Sequence, residues 1–287
     1  MRRSRHHYRD NGVVIRATDR SLGTLQLFDT FRLLPLNYMH ALAGGGNYCG
    51  YRDLCTRMTW AGLIDRKTLN GTFNNNETQT YFRTDAGDRF LHEKGFESLP
   101  HDSHHDTHQV LTDIAEAQIV LGVRGTDIEY HSWRDIRDHP KTPPLPPKPF
   151  RFDLEGTYQV PDGRPFYLKN HRGSVIFVRE IDRSTEAKDT IRIKLQHYQH
   201  LEEAIKRRYG FKALFLLFIT TDKMRQQNIL ALIEEVFPNG CKWILTHTME
   251  DHIKALRTTP ALSTHLFKEP YQRAGHRPFS LRTLSEA

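Results

Sequence analysis

The 287-residue sequence has few cysteines, and those it has follow no recognised spacing. Cys49, Cys55 and Cys241 form no CxxC pair and no Cys/His pattern typical of zinc. Neither a disulfide framework nor a structural zinc is therefore predicted. We interpret the three residues as buried thiols in a reducing compartment.

The sequence also lacks the apolar segments that membrane insertion and secretion require. No apolar run approaches the ~20 residues of a membrane span, and no apolar segment follows the basic start MRRSRHHYRD. The run Gly44–Gly46 lacks the Lys-Ser/Thr continuation of a phosphate-binding loop, and no strand is predicted before it. We therefore expect a soluble, cytoplasmic protein without membrane association or nucleotide hydrolysis.

Positive charge is in excess. Lys and Arg number 41 against 34 Asp and Glu, and 17 histidines add further positive charge in mildly acidic conditions. A polyanionic partner is consistent with this balance. Residues 1–20 contain six arginines and two aspartates, which fits either a basic arm that contacts phosphates or a solvated tail.

The length favours two domains, and composition suggests where they divide. His139–Pro149 has six prolines in eleven residues, so it forms neither a helix nor a central strand. It is a connector, a surface excursion or a binding segment for a protein partner. The polar stretch Leu99–Asp106 precedes a strongly helical run. The predicted division is a basic arm (1–20), a first domain (21–100), a second domain (105–255) and a C-terminal tail (256–287).

The first domain is predicted to contain three helices and a hairpin. Apolar residues from Leu22 to Leu33 recur near helical spacing, a short helix over Leu36–Leu42 ends at three glycines, and a third helix spans Tyr48–Leu63. Asn70-Gly71 and three further asparagines separate two short segments that could pair between Leu63 and Tyr81. Thr84 or Asp85 then caps another helix.

The third helix with its "AGLIDR" ending, the hairpin and the motif "Y-x-x-T-x-x-G" from Tyr81 to Gly87 resemble bacterial winged-helix proteins. The resemblance implies a winged helix-turn-helix fold with the third helix in the DNA major groove. The predicted contacts to double-stranded DNA are Tyr51, Arg52, Thr56, Arg57, Arg66 and Lys67. A winged helix that binds protein instead is the alternative.

The second domain alternates helices with strands. A helix over Thr107–Leu121 precedes short strands up to Ile181, a long helix over Glu186–Tyr209, the apolar strand Ala213–Thr220, a helix over Gln226–Val236 and a strand over Lys242–Thr246. This order predicts an α/β/α sandwich and an α+β chain as a whole.

Three carboxylates in this domain are candidates for chemistry. Asp162 follows a proline at a strand edge, and Glu180 and Asp182 stand two apart in the next strand, so those two side chains share a face. Converging carboxylates are ligands for Mg²⁺, with Mn²⁺ as a substitute. The alternative is that they form ion pairs with Arg179, Arg183 or Lys194.

The order "PDG", hairpin, "E-x-D" resembles the PD-(D/E)XK nuclease core. In that core, a lysine two residues after the second acid aids catalysis, whereas Asp182 stands there in this chain. The resemblance implies that Lys194 on the next helix supplies the ammonium group and that Glu116 on the first helix adds a ligand. It implies either a metal-dependent endonuclease or an inactive relative of one.

The motifs "V-P-D-G", "F-V-R-E-I-D-R-S-T-E" and "K-L-Q-H-Y", behind a winged helix and "H-Q-V-L-T-D", look like the replication-relaxation family of plasmid and mobile-element proteins. The resemblance covers roughly residues 20 to 250 and implies a role in replication or relaxation of such an element. Three hypotheses follow: a DNA-binding nickase, a non-enzymatic regulator that binds DNA as a homodimer, and a protein-binding adaptor.

Overall fold

The computed structural model describes residues 12–68, 79–98, 107–132, 152–154, 157–159, 162, 165–183, 186–209, 213–220, 222–249 and 262–286. The chain forms two compact units, residues 1–117 with 254–262 and residues 118–253 with 263–287. Both mix helices with strands. Within the described ranges, no helix combines the length and the apolar character needed to cross a membrane.

The first unit contains helices packed with a small antiparallel sheet in the order β1-β3-β2. Its elements are α1 (Asp19–Thr30), β1 (Leu34–Pro35), α2 (Leu36–Leu42), α3 (Tyr48–Trp60), β2 (Ile64–Thr68), β3 (Gln79–Arg83) and α4 (Asp85–Glu93). The predicted α2 is confirmed. The predicted hairpin is confirmed in its strands, because Ile64 pairs with Arg83 and Thr68 with Gln79. Its tip lies outside the described residues.

Local sequence signals set the helix ends of this unit. Thr18 forms a capping box with Ser21, and Asn47 and Thr84 cap α3 and α4 through their side chains. The three glycines after α2 all have positive φ, between 70° and 93°, a conformation that most side chains disfavour. The sharp turn from α2 into α3 is therefore encoded in the Gly44–Gly46 run.

A buried arginine ties together the elements of the first unit. Arg83 is fully buried and donates to the Leu25 carbonyl oxygen at 2.8 Å. It also forms ion pairs with Asp29 on α1 at 2.8 Å and with Asp88 on α4 at 2.6 Å. Since a buried charge is costly without partners, these contacts link α1, β3 and α4 in one arrangement.

Helix α5 (Thr107–Val123) contains the division between the units, which falls after Ala117. The predicted boundary at 99–106 precedes this helix. The buried Asp113 carboxylate accepts hydrogen bonds from the backbone N–H groups of Arg32 and Leu33, both at 2.7 Å. The beginning of α5 thus belongs with the first unit, through a polar contact that hydrophobic periodicity does not reveal.

The second unit is built on a mixed sheet in the order β12-β11-β10-β9-β8-β7-β4. Its remaining elements are β4 (Glu129–His131), β5 (Phe152–Leu154), β6 (Thr157–Gln159), β7 (Phe166–Asn170), β8 (Gly173–Asp182), α6 (Lys188–Tyr209), β9 (Ala213–Thr220), α7 (Lys223–Val236), β10 (Ile244–Thr248), α8 (His265–Lys268), β11 (Tyr271–Arg273), β12 (His276–Phe279) and α9 (Thr283–Glu286). Strands β5 and β6 pair separately. Strands β8, β9 and β10 are parallel to one another, whereas β4, β7, β11 and β12 pair antiparallel to their neighbours.

The parallel strands bring their carboxyl ends to one edge of the sheet. Glu180 pairs with Phe218, and Asp182 pairs with Thr220. Thr246 of β10 also pairs with Phe218, so these residues share one face. The predicted strand Ala213–Thr220 is confirmed at both ends, and its burial on both faces explains its unbroken apolar sequence.

The structure bears on the predicted C-terminal tail and on the predicted burial of the cysteines. The predicted tail, 256–287, contains strands β11 and β12, which extend the sheet beyond β10. Cys55 and Cys241 are buried as expected, but Cys49 is exposed because it lies in the first turn of α3, which faces solvent. Residues 1–11 of the arm and the proline-rich segment lie outside the described residues.

Candidate functional site

Asp162 is held against strand β8 by two hydrogen bonds. Its backbone N–H donates to the Arg179 carbonyl oxygen at 3.1 Å. Its side-chain Oδ2 accepts from the Ile181 backbone N–H at 2.7 Å. Asp162 therefore spans the backbone on either side of Glu180, although 17 residues separate the two in sequence.

The Glu180 carboxylate is buried and accepts from two groups of helix α6. Lys194 Nζ donates to its Oε2 at 3.0 Å, and the Tyr198 hydroxyl donates to its Oε1. Lys194 and Tyr198 are one helical turn apart, so they lie side by side on α6. The structure thus brings the sequence-predicted Lys194 to Glu180. It adds Tyr198, which sequence periodicity identified only as a core residue.

Burial and charge act in opposite directions at this cluster. Burial, followed by repulsion from Asp162, raises the pKa of Glu180 to about 8, against the opposing influence of Lys194 and Tyr198. Burial lowers the pKa of Lys194, but Glu180, Glu186 and Asp162 outweigh it and the net pKa lies above its ordinary value. We infer that Lys194 stays charged, and that the poorly solvated Glu180 takes up a proton near neutral pH.

A second ion pair involves Asp182. The Arg225 guanidinium contacts both Asp182 oxygens, through Nε to Oδ2 and Nη2 to Oδ1, and Nη2 also donates to the Glu186 carbonyl oxygen at 2.9 Å. The Glu186 carboxylate in turn accepts from Lys194 at 2.6 Å. Asp182, Arg225, Glu186, Lys194 and Glu180 therefore form one continuous network.

Arg225 is positioned by the start of helix α7. Asp222 caps this helix by accepting from the Arg225 backbone N–H at 2.8 Å. The next residue, Gln226, donates to the Thr246 carbonyl oxygen at 2.9 Å. Sequence reasoning missed the side chains of Arg225 and Gln226. The available signal was Asp222, because an Asp directly before a helix is a recognisable cap.

The predicted metal ligands are only partly brought together. Asp162 and Glu180 converge, whereas both oxygens of Asp182 contact Arg225. Glu116 is buried on α5 in the first unit, and its role as a ligand stays a prediction. Among the residues that the structure describes, no group of three or more His, Cys, Asp or Glu side chains is arranged to hold a metal ion.

The predicted DNA-binding residues differ in exposure. Arg52, Arg57 and Arg66 are exposed, whereas Thr56 and Lys67 are partly exposed. Thr56 donates its hydroxyl to the Arg52 carbonyl oxygen at 3.0 Å. Sequence reasoning missed Tyr48 and Trp60, which are exposed near the two ends of α3. The available signal was that both aromatic residues stand outside the apolar periodicity of α3.

The prediction that Tyr51 faces outward is wrong. Tyr51 is fully buried, accepts a hydrogen bond from the Thr24 hydroxyl at 3.1 Å and lies under the Arg20 guanidinium. Burial raises the pKa of its phenol above the ordinary value. The physical reason is helical spacing, because Tyr51 stands four residues before Cys55 and seven before Met58 on the inner face.

No known protein family, curated protein or solved structure matches this chain. Membership of the replication-relaxation family therefore stays a prediction from short motifs. A function for this chain has to be inferred from its own residues and their geometry.

Proposed function

We propose that this protein binds double-stranded DNA through its first unit and hydrolyses a phosphodiester bond in its second unit. The cellular role that we propose is replication or relaxation of a plasmid, phage or other mobile element. The observation that carries the proposal is the convergence of Asp162, Glu180 and Lys194 from three separate segments of the second unit.

The element order of the first unit supports a winged-helix fold. Helix, short strand, two helices and an antiparallel hairpin follow one another, and the short strand joins the hairpin as a third strand. Arg52 and Arg57 project from the outer side of α3, and Arg66 is exposed on β2. Guanidinium groups on a helix and an adjacent hairpin suit base edges and phosphates of a duplex.

The element order of the second unit supports a PD-(D/E)XK nuclease-like fold. The end of helix α5, strands β4, β7 and β8, helix α6 and strand β9 come in this order, with the separate pair β5–β6 between β4 and β7; β4, β7 and β8 are antiparallel and β9 is parallel to β8. Asp162 precedes β7, Glu180 lies in β8, and Lys194 comes from α6. In this proposal Lys194 replaces the strand lysine of the nuclease motif.

The chemistry of the cluster fits a divalent cation, Mg²⁺ or Mn²⁺. Asp162 and Glu180 supply hard oxygen ligands, and the repulsion between them that helps to raise the pKa of Glu180 would be offset by a cation that both carboxylates contact. When bound, the cation would polarise the scissile phosphate and acidify a water molecule. Asp182 does not fit as a ligand while Arg225 contacts both of its oxygens.

The protein groups around the pair have distinct roles in this proposal. Lys194 holds a positive charge beside the two carboxylates, where it can stabilise charge that develops on the phosphate. Tyr198 fixes the orientation of Glu180 by donating to Oε1. The pair of Asp182 with Arg225 joins β8 to α7 and keeps a second cationic group, the Arg225 guanidinium, beside the site.

A nicking assay on supercoiled plasmid tests the proposed activity. Asp162→Ala, Glu180→Ala and Lys194→Met are expected to abolish Mg²⁺- or Mn²⁺-dependent nicking, while Asp189→Asn, at an exposed carboxylate on the same helix as Lys194, leaves it unchanged. Equal residual activity in wild type and all variants would show that the cluster is not catalytic.

The second candidate is a non-enzymatic regulator that binds DNA as a homodimer. It is favoured by the ion pairs themselves, since Glu180 and Asp182 both have cationic partners within the chain. Here the second unit serves as a scaffold. Salt-dependent duplex binding without nicking under any metal condition would select this candidate, and the Arg52→Ala/Arg57→Ala variant would then lose the binding.

A further inference from the structure

The C-terminal hairpin, which we define as residues 271–279, lies in a stretch of one charge sign. From Pro270 to Ser285 the sequence contains Arg273, Arg277, Arg282 and His276 but no Asp or Glu. Arg277 and Arg282 are exposed, and Arg273 is partly exposed. Glu269 and Glu286 flank this stretch in the sequence, and residues 271–279 themselves contain no carboxylate.

The hairpin is fixed firmly to the sheet. Tyr271 is fully buried and donates its hydroxyl to the Leu266 carbonyl oxygen at 2.7 Å, while β11 pairs with β10. At the turn, Gly275 has φ +68°, and a Cβ there would approach the Cα of Gly240 to 2.9 Å. Two glycines therefore allow the turn to pack closely, and the Cys241 N–H donates to the Ala274 carbonyl oxygen at 2.9 Å. The arginines are displayed from a well-anchored element.

Arg273 is held in one orientation on this hairpin. Its guanidinium lies over the Phe279 ring at 5.4 Å, and its Nε donates to the Arg277 carbonyl oxygen at 2.7 Å. Within the part of the chain that the structure describes, its two Nη nitrogens have no hydrogen-bond partner. A guanidinium with a fixed stem and available Nη donors is suited to bidentate contact with phosphate oxygens.

We propose that the C-terminal hairpin is a second DNA-contacting surface, in which Arg273 and Arg277 bind phosphates of a duplex. The inference rests on the proposed function in taking DNA as the polyanion, but it needs neither the winged helix nor catalysis. Charge complementarity favours this partner, because the hairpin itself carries Arg273 and Arg277 and no Asp or Glu, so its net charge attracts a phosphate backbone. The other role for charges at a sheet edge is to prevent pairing with a second sheet.

The salt dependence of duplex binding by the full chain tests this surface. Arg273→Gln/Arg277→Gln is expected to reduce the slope of log K against log salt by about two, roughly 0.9 for each lost phosphate contact. Affinity near 0.15 M salt should fall on the order of tenfold or more. The matched control Arg124→Gln/Lys188→Gln removes the same charge from exposed positions of this unit and should retain the wild-type slope.

Two further variants separate the loss of a phosphate contact from damage to the hairpin itself. Arg277→Gln alone spares the Arg273 stack and should lower the slope by about one, and Arg273→Lys should retain part of the affinity. A hairpin variant with wild-type affinity and slope, or one that changes only self-association, overturns the proposal. Wild-type protein that binds no duplex at low salt would instead overturn the proposed function, so the two failures can be told apart.

Discussion

The pair of Asp182 and Arg225 is the residue-scale contact with the clearest energetic consequence. Asp182 is almost fully buried, and Arg225 contacts both of its oxygens. Removal of one partner leaves a buried charge without compensation, which costs about 3–5 kcal/mol in comparable cases. The pair thus constrains β8 and α7 more through the penalty for breaking it than through its net attraction.

We therefore expect Arg225→Met to lower the free energy of unfolding by about 3 kcal/mol, and Asp182→Asn in the same chain to restore part of the loss. Urea denaturation of both single variants and the double variant gives the coupling energy. Arg192→Met is the matched control, because this arginine pairs with Asp189 and Glu235 at the surface and its loss should have little effect. Equal losses for Arg225→Met and Arg192→Met would contradict the prediction.

His247 gives the second unit a defined response to acid. Its ring is buried against His265 and Tyr271, and Nδ1 accepts from the Thr248 N–H at 2.8 Å. Burial, with a smaller effect of the neighbouring His265, lowers the pKa of His247 from 6.5 to about 4, although the Thr248 carbonyl oxygen, 2.9 Å from Nδ1, and Glu269 act in the opposite direction. The native state therefore binds this proton less readily than the unfolded state does.

The sign of the pH effect follows from that difference. As the pH falls from 6.5 towards 4, the unfolded state takes up the proton first, and the native state should lose up to about 3 kcal/mol. Above pH 6.5 the contribution of His247 to the pH dependence vanishes. Denaturation midpoints measured from pH 8 to 4 should show a shallower decline in His247→Gln, while His171→Gln, at an exposed turn, should follow wild type. A His247→Gln decline as steep as that of wild type would refute this assignment.

At the scale of elements, the contact of helix α4 with the turn between α3 and β2 depends on one glycine. A Cβ at Gly87 would lie 2.3 Å from the Leu63 carbonyl oxygen and 2.7 Å from Arg83 Cγ. Gly87 also donates its N–H to the Thr84 cap at 3.2 Å. No rotation of a side chain relieves a collision with backbone, so α4 would have to shift away from the strand.

Gly87→Ala and Gly23→Ala each add one methyl group to a helix, and we expect them to change the stability of the first unit in opposite directions. Gly87→Ala should destabilise the first unit by about 2 kcal/mol or more through overpacking. Gly23 lies in α1, and a methyl group added there would meet nothing within 4 Å, so Gly23→Ala should stabilise by about 0.5–1 kcal/mol through helix propensity. Thermal melts of the two variants test both predicted changes in stability. Stabilisation by Gly87→Ala would contradict the packing described above.

Elements with a strong local signal could be predicted from sequence. The apolar run of β9 and the glycine stop after α2 gave correct boundaries, because burial and backbone conformation act on neighbouring residues. Contacts between distant residues could not be predicted. Asp113 binds backbone groups about 80 residues away, and Arg225 reaches Asp182 across 43 positions. Such pairs depend on topology rather than on periodicity.

The candidate site was predictable from sequence only in part, for the same reason. Asp162 and Glu180 could be selected by chemistry and spacing, and Lys194 by the resemblance to the nuclease core, and the structure brings them together. Tyr198 and Arg225 could not, since one looks like a core residue and the other like a surface arginine. Tyr51 is predicted among the DNA contacts on the outer side of α3, although its spacing from Cys55 and Met58 indicates burial.

At the scale of the whole molecule, the last segment of the chain completes the core of the second unit. Strands β11 and β12 cover the edge of β10, and Tyr271 and Leu281 are fully buried. Loss of large buried side chains costs about 2–5 kcal/mol each. That cost is a large share of the ~5–15 kcal/mol by which a domain is usually stable.

Deletion of residues 270–287 should therefore unfold or partly open the second unit. In hydrogen exchange followed by mass spectrometry, peptides from β8, β9 and β10 should lose protection, whereas peptides from β2 and β3 in the first unit should keep theirs. Deletion of residues 286–287, which spares both strands, is the control and should behave as wild type. Retained protection in β10 after the longer deletion would mean that the core of the second unit is complete without its C-terminal strands.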